Sequence, residues 1–194
     1  MSKIIVIEGP DRCGKATQSK LLCEHFKSIG KRAEVVEVPI HSNFAYSIIY
    51  FMLKMGLAKI SPKIFQWFQY LNRQIFQWQE LPKLEEKCDY IIFDRWYLSS
   101  VIYGEATGVS EEFTRNLCRR LRNPDFTVIL LGASHKHEAE DSYEADLDLQ
   151  KRVRNLYQDW AATHPGRSVV LDCSRTREDI SQEIQKTLEE LDLI

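Results

Sequence analysis

A short β-branched run, Lys3-Ile-Ile-Val-Ile-Glu8, breaks at once into Gly9-Pro10-Asp11-Arg12-Cys13-Gly14-Lys15 and then into a stretch with helical spacing at Leu21, Leu22 and Phe26. Gly9 to Lys15 matches GxxxxGK. That spacing lets successive backbone N–H groups wrap a phosphate at a helix N-terminus, while the lysine ammonium reaches the terminal phosphates. A glycine-bearing turn that only caps a helix is the plainer alternative. The strand before the motif and the helix after it argue against that alternative, because this context is what a phosphate loop requires.

The rest of the chain repeats the alternation. Gly30 closes the first helix where a left-handed cap is wanted, and Ala33 to Val38 is a second extended run ended by Pro39. A long helical region follows. Gly56 marks a break in it, and Ser61-Pro62 offers an N-cap and a first-turn proline for a helix to about Glu80, so two helices are expected before the next strand. Further buried-type strands read at Tyr90 to Phe93, Phe126 to Leu131 and Ser168 to Leu171, separated by helical sequence such as Ser110 to Leu121 and Leu147 to Ala162. Thr176 to Leu191 reads as a last amphipathic helix. Five apolar strands alternating with helices predict an α/β fold, a P-loop three-layer sandwich whose five-stranded parallel sheet is flanked by helices. Ligands of such sheets bind beyond the carboxyl ends of the strands, which directs attention to the loops after Ile7, Val38 and Phe93. With 194 residues, a single domain spanning 1–194 is expected.

Composition narrows the function classes. Lys plus Arg number 26 against 28 Asp plus Glu, a formal net charge of −2, so no bulk positive field favours nucleic acid. The five cysteines, Cys13, Cys23, Cys88, Cys118 and Cys173, are odd in number and form no CxxC pair, which argues against a disulfide framework or a zinc site and for a reducing cytoplasm. Ile4 to Ile7 is too short for a signal-peptide core, and the longest apolar stretch, Phe44 to Ile60, is preceded by Asn43 and interrupted by Lys54, Gly56 and Lys59. A membrane span needs about 20 predominantly apolar residues, so a soluble chain is expected. His135 to Asp148 carries six acidic residues and two histidines without an arginine, and reads as a surface segment. His135 and His137 lack a third nearby ligand and are read as part of that surface.

The phosphate loop has one defect. The residue after Lys15 ordinarily supplies a hydroxyl to Mg²⁺, and here it is Ala16; Thr17 lies about 100° further round the helix. Mg²⁺ must then rely on phosphates, waters and another acid. Asp94, ending the run Tyr-Ile-Ile-Phe, is the candidate, with a helix N-cap or an ion pair with Arg95 as alternatives.

Taken together, the motifs resemble the thymidylate kinases and related deoxynucleoside monophosphate kinases over nearly the whole chain. Ile7 to Gln18 resembles the family's EGxDxxGKSTQ, Asn72-Arg73 its helix-borne NR pair, and Phe93-Asp-Arg-Trp-Tyr-Leu-Ser-Ser100 its DRY motif. Pro124-Asp125 before an apolar strand also fits, as do Tyr143-Glu144, Leu149-Gln150-Lys151 and Tyr157 around a short lid at about 133–150. The resemblance implies transfer of the ATP γ-phosphate to dTMP, with Mg²⁺ as cofactor and a homodimer packed through the aromatic helices. It implies ATP binding by Gly9, Pro10, Asp11, Arg12, Cys13, Gly14, Lys15, Ala16 and Thr17. Lys15 would hold the β- and γ-phosphates, Arg95 the phosphates being joined, and Asp94 would stand near Mg²⁺ through water. Arg73 would fork onto the acceptor monophosphate, Asp11 would meet the sugar 3′-hydroxyl, and Tyr103 and Tyr143 would contact the substrate, Tyr143 over the sugar. No arginine lies in Gly132 to Gln150, which is similar to members whose catalytic arginine sits in the phosphate loop, here Arg12; the plainer reading of Arg12 is a solvated residue.

The chain departs from the family pattern at Ala16 and at two acceptor-site positions. His41 stands where the family has an arginine gripping the acceptor phosphate, and could serve only as a weaker or pH-dependent donor. Gln69, with Phe68 beside it, replaces the aromatic that stacks on thymine. These departures leave open a kinase for another or modified deoxynucleoside monophosphate, a deoxynucleoside kinase, and a non-catalytic P-loop nucleotide-binding protein. Most of the aromatics from Phe65 to Trp78 read as core or interface.

Overall fold

Alternation along the first strand organises the molecule. In the computed structural model, which describes residues 2–132, Tyr143 and residues 146–194, β1 (Lys3–Glu8) directs Ile5 and Ile7 into one apolar cluster and Ile4 and Val6 into another. β3 (Tyr90–Asp94) does the same, with Ile92 on the first side and Ile91 and Phe93 on the second. With β2 (Ala33–Glu37), β4 (Phe126–Leu131) and β5 (Ser168–Asp172) they form an all-parallel five-stranded sheet in the order β2-β3-β1-β4-β5. The central strands β1, β3 and β4 are apolar almost throughout because helices cover both their faces. The edge strands β2 and β5 are only partly buried.

One face carries α1 (Lys15–Ser28) and α9 (Arg177–Glu190), which pack Leu22, Phe26, Ile180 and Ile184 onto the sheet. Thr176 caps α9, its hydroxyl oxygen accepting from the Asp179 N–H at 3.1 Å. The other face holds α2 (Phe44–Lys54), α3 (Leu57–Ile60), α4 (Pro62–Gln79), α5 (Leu81–Lys87), α6 (Tyr97–Ala106), α7 (Glu111–Cys118) and α8 (Leu147–Thr163). The strands agree with the sequence reading, but four helical segments, not two, separate β2 from β3. Gly56, at φ 68°, ends the reach of α2, and a second turn at Glu80 starts α5 with Pro82 in its first turn. Ser61 occupies the N-cap position of α4 without a capping side-chain hydrogen bond. α6, directly after the β3 loop, was not separated out by periodicity: eight of its ten residues are buried, so it has no polar stripe.

β1 lies between β3 and β4, so the loop leaving it opens at the point where the chain's crossovers change direction. Gly9 is the hinge of that exit. Its φ is 141°, and a Cβ there would run into the Leu130 carbonyl of β4. Gly9→Ala is therefore expected to destabilise the protein by about 2 kcal/mol or more, read as a lower midpoint in urea unfolding with an unchanged slope.

Candidate active site

The loop from Gly9 to Gly14 turns over the end of β1 with Arg12 at φ 66° and Gly14 at φ 79°, and delivers Lys15 to the start of α1. Lys15 is 8% exposed and its Nζ donates to the Pro10 carbonyl at 2.6 Å, closing the loop on itself. Burial lowers its pKa and the nearby Arg95 adds to this, while Asp11 and Asp94 pull the other way. Ala16 and Thr17 face solvent on the first turn of α1.

A carboxylate beneath the loop positions the β3 side. Glu8, fully buried, accepts from the backbone N–H of Trp96 at 2.8 Å and of Ser99 at 3.2 Å, from Ser99 Oγ at 2.5 Å and from the Tyr157 hydroxyl at 2.7 Å. It thus caps the N-terminus of α6 from another strand, where a negative charge is favoured. Arg95 stands one residue earlier at φ 69°, donates its N–H to the Ile7 carbonyl, and sends its guanidinium over the loop. There Nη1 donates to the Gly9 carbonyl at 3.0 Å and to Ser99 Oγ at 3.1 Å, and Nη2 pairs with Asp11.

Asp11 is the junction of the site. Its Oδ2 also accepts from the Tyr103 hydroxyl and from Gln150 Nε2, each at 2.7 Å. Burial works against its charge, but Arg95, Lys15 and these hydrogen bonds win and hold its carboxyl below the usual value. Gln150 completes the clasp: its Oε1 accepts from the Asp11 N–H at 3.2 Å and its Nε2 donates to the Tyr143 carbonyl at 3.1 Å. The Tyr103 ring lies 5.3 Å from the Arg95 guanidinium and stacks with Tyr143 at 6.0 Å.

Asp11, Arg95, Tyr103, Tyr143, Gln69 and Arg73 line one cavity beside the loop, with Val38, Pro39, Leu53 and Phe65 as apolar wall. Asn72 holds the β2 side of it, accepting from the Ile40 N–H at 2.7 Å and donating back to the Ile40 carbonyl at 2.9 Å. Arg73 is buried, and its fork is engaged: Nη1 donates to the backbone and side-chain oxygens of Gln69 at 2.8 Å, and Nη2 to the Trp96 carbonyl at 3.1 Å. Its Nε is without a partner, and burial lowers its pKa to about 10. Gln69 therefore serves as a clamp on Arg73, a task an aromatic could not perform.

His41 and Phe68 lie elsewhere. His41 is exposed, with its ring 4.2 Å from Tyr46, and borders a groove on the β2 side. Phe68 packs against the α4–α6–α8 core and meets Trp67 edge-on at 5.3 Å. Asp94 is half-buried, makes no side-chain hydrogen bond among the described residues, and has its pKa raised by burial against the pull of Lys15 and Arg95. Of the lid at about 133–150, Tyr143 and residues 146–150 are described; His135, His137 and Glu144 lie outside the described residues. Two cavity groups were given no role by the sequence reading: Gln66 Oε1 and Ser100 Oγ, both buried and without a partner among the described residues. Buried polar atoms are normally satisfied, so these two mark places where a ligand's polar edge would be accommodated.

A family profile described as thymidylate kinase matches residues 7–184. The chain is similar to the thymidylate kinase of Wolbachia pipientis wMel, 31% identical over 90% of this chain and 93% of that one. It is similar also to the human thymidylate kinase, at 27% identity over 94% of this chain and 87% of the relative. Among solved structures, the thymidylate kinase of Candida albicans superposes with a TM-score of 0.79 at 19% identity, covering 99% of this chain and 93% of that chain. At that identity the likeness speaks for the fold.

The Asp11 cluster has a pH signature. A carboxyl whose folded pKa is depressed contributes stability that is complete well above its unfolded value, near 3.8, and is lost as pH falls through the lower folded value. Asp11→Asn is expected to cost about 2 kcal/mol at pH 7, with wild type and variant converging below pH 3.8 in urea unfolding measured as a function of pH.

Proposed function

This chain belongs to the thymidylate kinase family, and we propose that it transfers the γ-phosphoryl group of ATP to dTMP, giving ADP and dTDP. The observation that carries this reading is the junction of two half-sites: the phosphate loop with Lys15, and an acceptor cavity joined to it through the Asp11–Arg95 pair. Phosphoryl transfer asks the protein for position and positive charge more than for covalent chemistry. Lys15 and the backbone N–H groups of residues 9–17, Pro10 excepted because it has none, hold the ATP phosphates. Arg95 faces the oxygens shared by donor and acceptor, and Arg12 at the outer bend of the loop supplies the further cation. Asp11 receives the acceptor's 3′-hydroxyl, and Tyr103 and Tyr143 border its sugar. Arg73 lines the cavity with its guanidinium held in place by the Gln69 and Trp96 oxygens, and offers the acceptor the N–H groups that these bonds leave uncommitted.

Mg²⁺ fits this site in a restricted way. Among the described residues Asp94 is the acid near Lys15 with an uncommitted carboxylate, and Ala16 has no side-chain oxygen to offer, so Asp94 would be the residue that holds the ion. A bound Mg²⁺ would supply positive charge that offsets the phosphate charge of the nucleotide. The assembly we propose is a homodimer: Tyr50 and Phe51 of α2, Met55 just beyond its end, and Ile64 and Trp67 of α4 are all exposed, an apolar surface that a second copy would cover. A cytoplasmic setting fits the five buried cysteines, none of them disulfide-bonded, and among the described residues no helix is long and apolar enough to cross a membrane.

The test is to incubate the protein with ATP, Mg²⁺ and each natural nucleoside and deoxynucleoside monophosphate in turn, and to quantify the diphosphates by chromatography. A dominant dTDP peak is expected. Another dominant diphosphate would reassign the acceptor, a result that Gln69 in place of the stacking aromatic would explain, and no product with ATP bound would overturn the kinase reading. Lys15→Ala should lower kcat/KM by about 10³-fold, the loss of one preorganised cation. Ala16→Ser should lower the Mg²⁺ concentration that gives half-maximal rate; an unchanged Mg²⁺ curve would mean that the metal is held independently of this position.

A further inference from the structure

Gln66 is a buried polar side chain of the cavity to which phosphoryl transfer gives no task. It stands on α4 at the i position of an i, i+3, i+7 series with Gln69 and Arg73, so the three share the helix face that lines the cavity. The other two are engaged: Arg73 Nη1 donates to Gln69 Oε1 at 2.8 Å and Nη2 to the Trp96 carbonyl at 3.1 Å. Gln66 is 1% exposed, and its Oε1 has no partner among the described residues. An amide oxygen accepts and cannot donate, so it calls for a donor that the folded chain does not bring.

Both helices place this amide at the end of the cavity away from the phosphate loop. Along α4 it precedes Arg73 by about 10 Å of helix axis, at roughly 1.5 Å per residue. On α6, a Cβ at Gly104 would lie 3.5 Å from both Cγ and Cδ of Gln66, so the glutamine crosses the α6 backbone about two turns beyond Trp96, whose carbonyl receives Arg73. The Thr114 hydroxyl borders the same spot, 3.0 Å from that Cβ, but it donates to the Ser110 carbonyl at 3.5 Å. Ser100, one turn before Gly104, carries the second unpartnered oxygen of the cavity. With the acceptor's phosphate toward Arg95 and its sugar at Asp11 and Tyr103, the base is the part that extends to Gln66.

We propose that Gln66 is a specificity-determining residue of the acceptor site: its amide oxygen accepts a hydrogen bond from an N–H on the edge of the base, which in dTMP is N3–H. The two glutamines of α4 then divide the work. Gln69 holds the Arg73 guanidinium, and Gln66 reads the base that no aromatic ring at position 69 can stack upon. A base with no N–H on that edge leaves the oxygen buried and unpaired, and is selected against by the cost of the unmade bond. In the ligand-free protein the same unpaired oxygen is a burden on stability that the acceptor relieves. Binding and stability should therefore respond to its removal with opposite signs, whereas a glutamine kept only for packing would lose both. The inference rests on the acceptor-cavity reading given under the proposed function, and it is tested by binding so that it does not depend on turnover.

The experiment compares the full chain with Gln66→Leu and with Gln66→Met, the unbranched variant serving should leucine fold poorly. Titration calorimetry measures the affinity for dTMP, for dUMP and for the dUMP analogue whose base is pyrimidin-2-one, which lacks the edge N–H; urea unfolding measures the ligand-free protein. In the variants dTMP affinity is expected to fall about tenfold, with ATP affinity unchanged and a higher urea midpoint. The wild-type preference for dUMP over the analogue is expected to shrink by about the same factor, as it must if the residue and the N–H meet. A well-folded variant that binds dTMP like the wild type would overturn the proposal. So would a lower urea midpoint with equal losses for dUMP and the analogue, the pattern of a packing residue. Wild-type protein that binds none of these monophosphates would overturn it together with the acceptor reading. Binding of dTMP that depends on Gln66 without any turnover would support it while removing the kinase reading, which separates the two failures.

Discussion

The buried carboxylate of Glu8 sets where the groups around the phosphate loop stand. A carboxylate with no access to water must be met by donors, and here four groups meet it, from Trp96, from Ser99 twice and from Tyr157. These donors come from the start of α6 and from the middle of α8. Satisfying one side chain of β1 therefore fixes two helices against the strand that carries the loop. Arg95 is drawn into place by the same arrangement, since its neighbour Trp96 is held by Glu8 and its own N–H by Ile7. Its left-handed backbone then turns the guanidinium back over Gly9 and Asp11.

From that anchor the site is an alternation of charge. Lys15 and Arg95 raise the local positive field, and Asp11 and Asp94 offset it, with Asp11 committed to Arg95 while Asp94 keeps its oxygens open. Asp11 also reaches Gln150 at the start of α8, and Gln150 reaches the Tyr143 backbone. The phosphate loop is thereby joined by hydrogen bonds to the segment that borders the cavity beside it.

How much of this was legible in the sequence depended on how local the constraint is. The GxxxxGK spacing is legible because Gly9 and Gly14 answer to backbone needs that no other residue meets so readily, a φ of 141° against the Leu130 carbonyl and a φ of 79° at the start of α1. The strands are legible because burial on both faces demands unbroken apolar runs. The helix end at Glu80 is legible, but α5 beyond it is not, because its 7 residues with Leu81 and Leu84 are too short to show a helical period. α6 was missed because a helix buried on nearly all sides carries no periodic signal.

At the site the division is sharper. The motif residues could be numbered in advance, but their partners could not. Whether Arg73 grips a phosphate or two protein carbonyls is decided by where Gln69 and Trp96 lie around it, and whether His41 faces the acceptor is decided by how Asn72 holds the preceding turn. Gln66 and Ser100 are ordinary residues in the linear chain; they gain meaning only when packing removes water from around them. By itself the sequence determined the fold class and the phosphate loop, because periodicity and glycine spacing act over a few residues, and its motifs, taken in order, carried the resemblance to the family. The tertiary structure alone decided which polar groups remain open to a ligand, because an unsatisfied atom is defined by neighbours from distant segments that folding brings, or fails to bring, within a hydrogen bond's length.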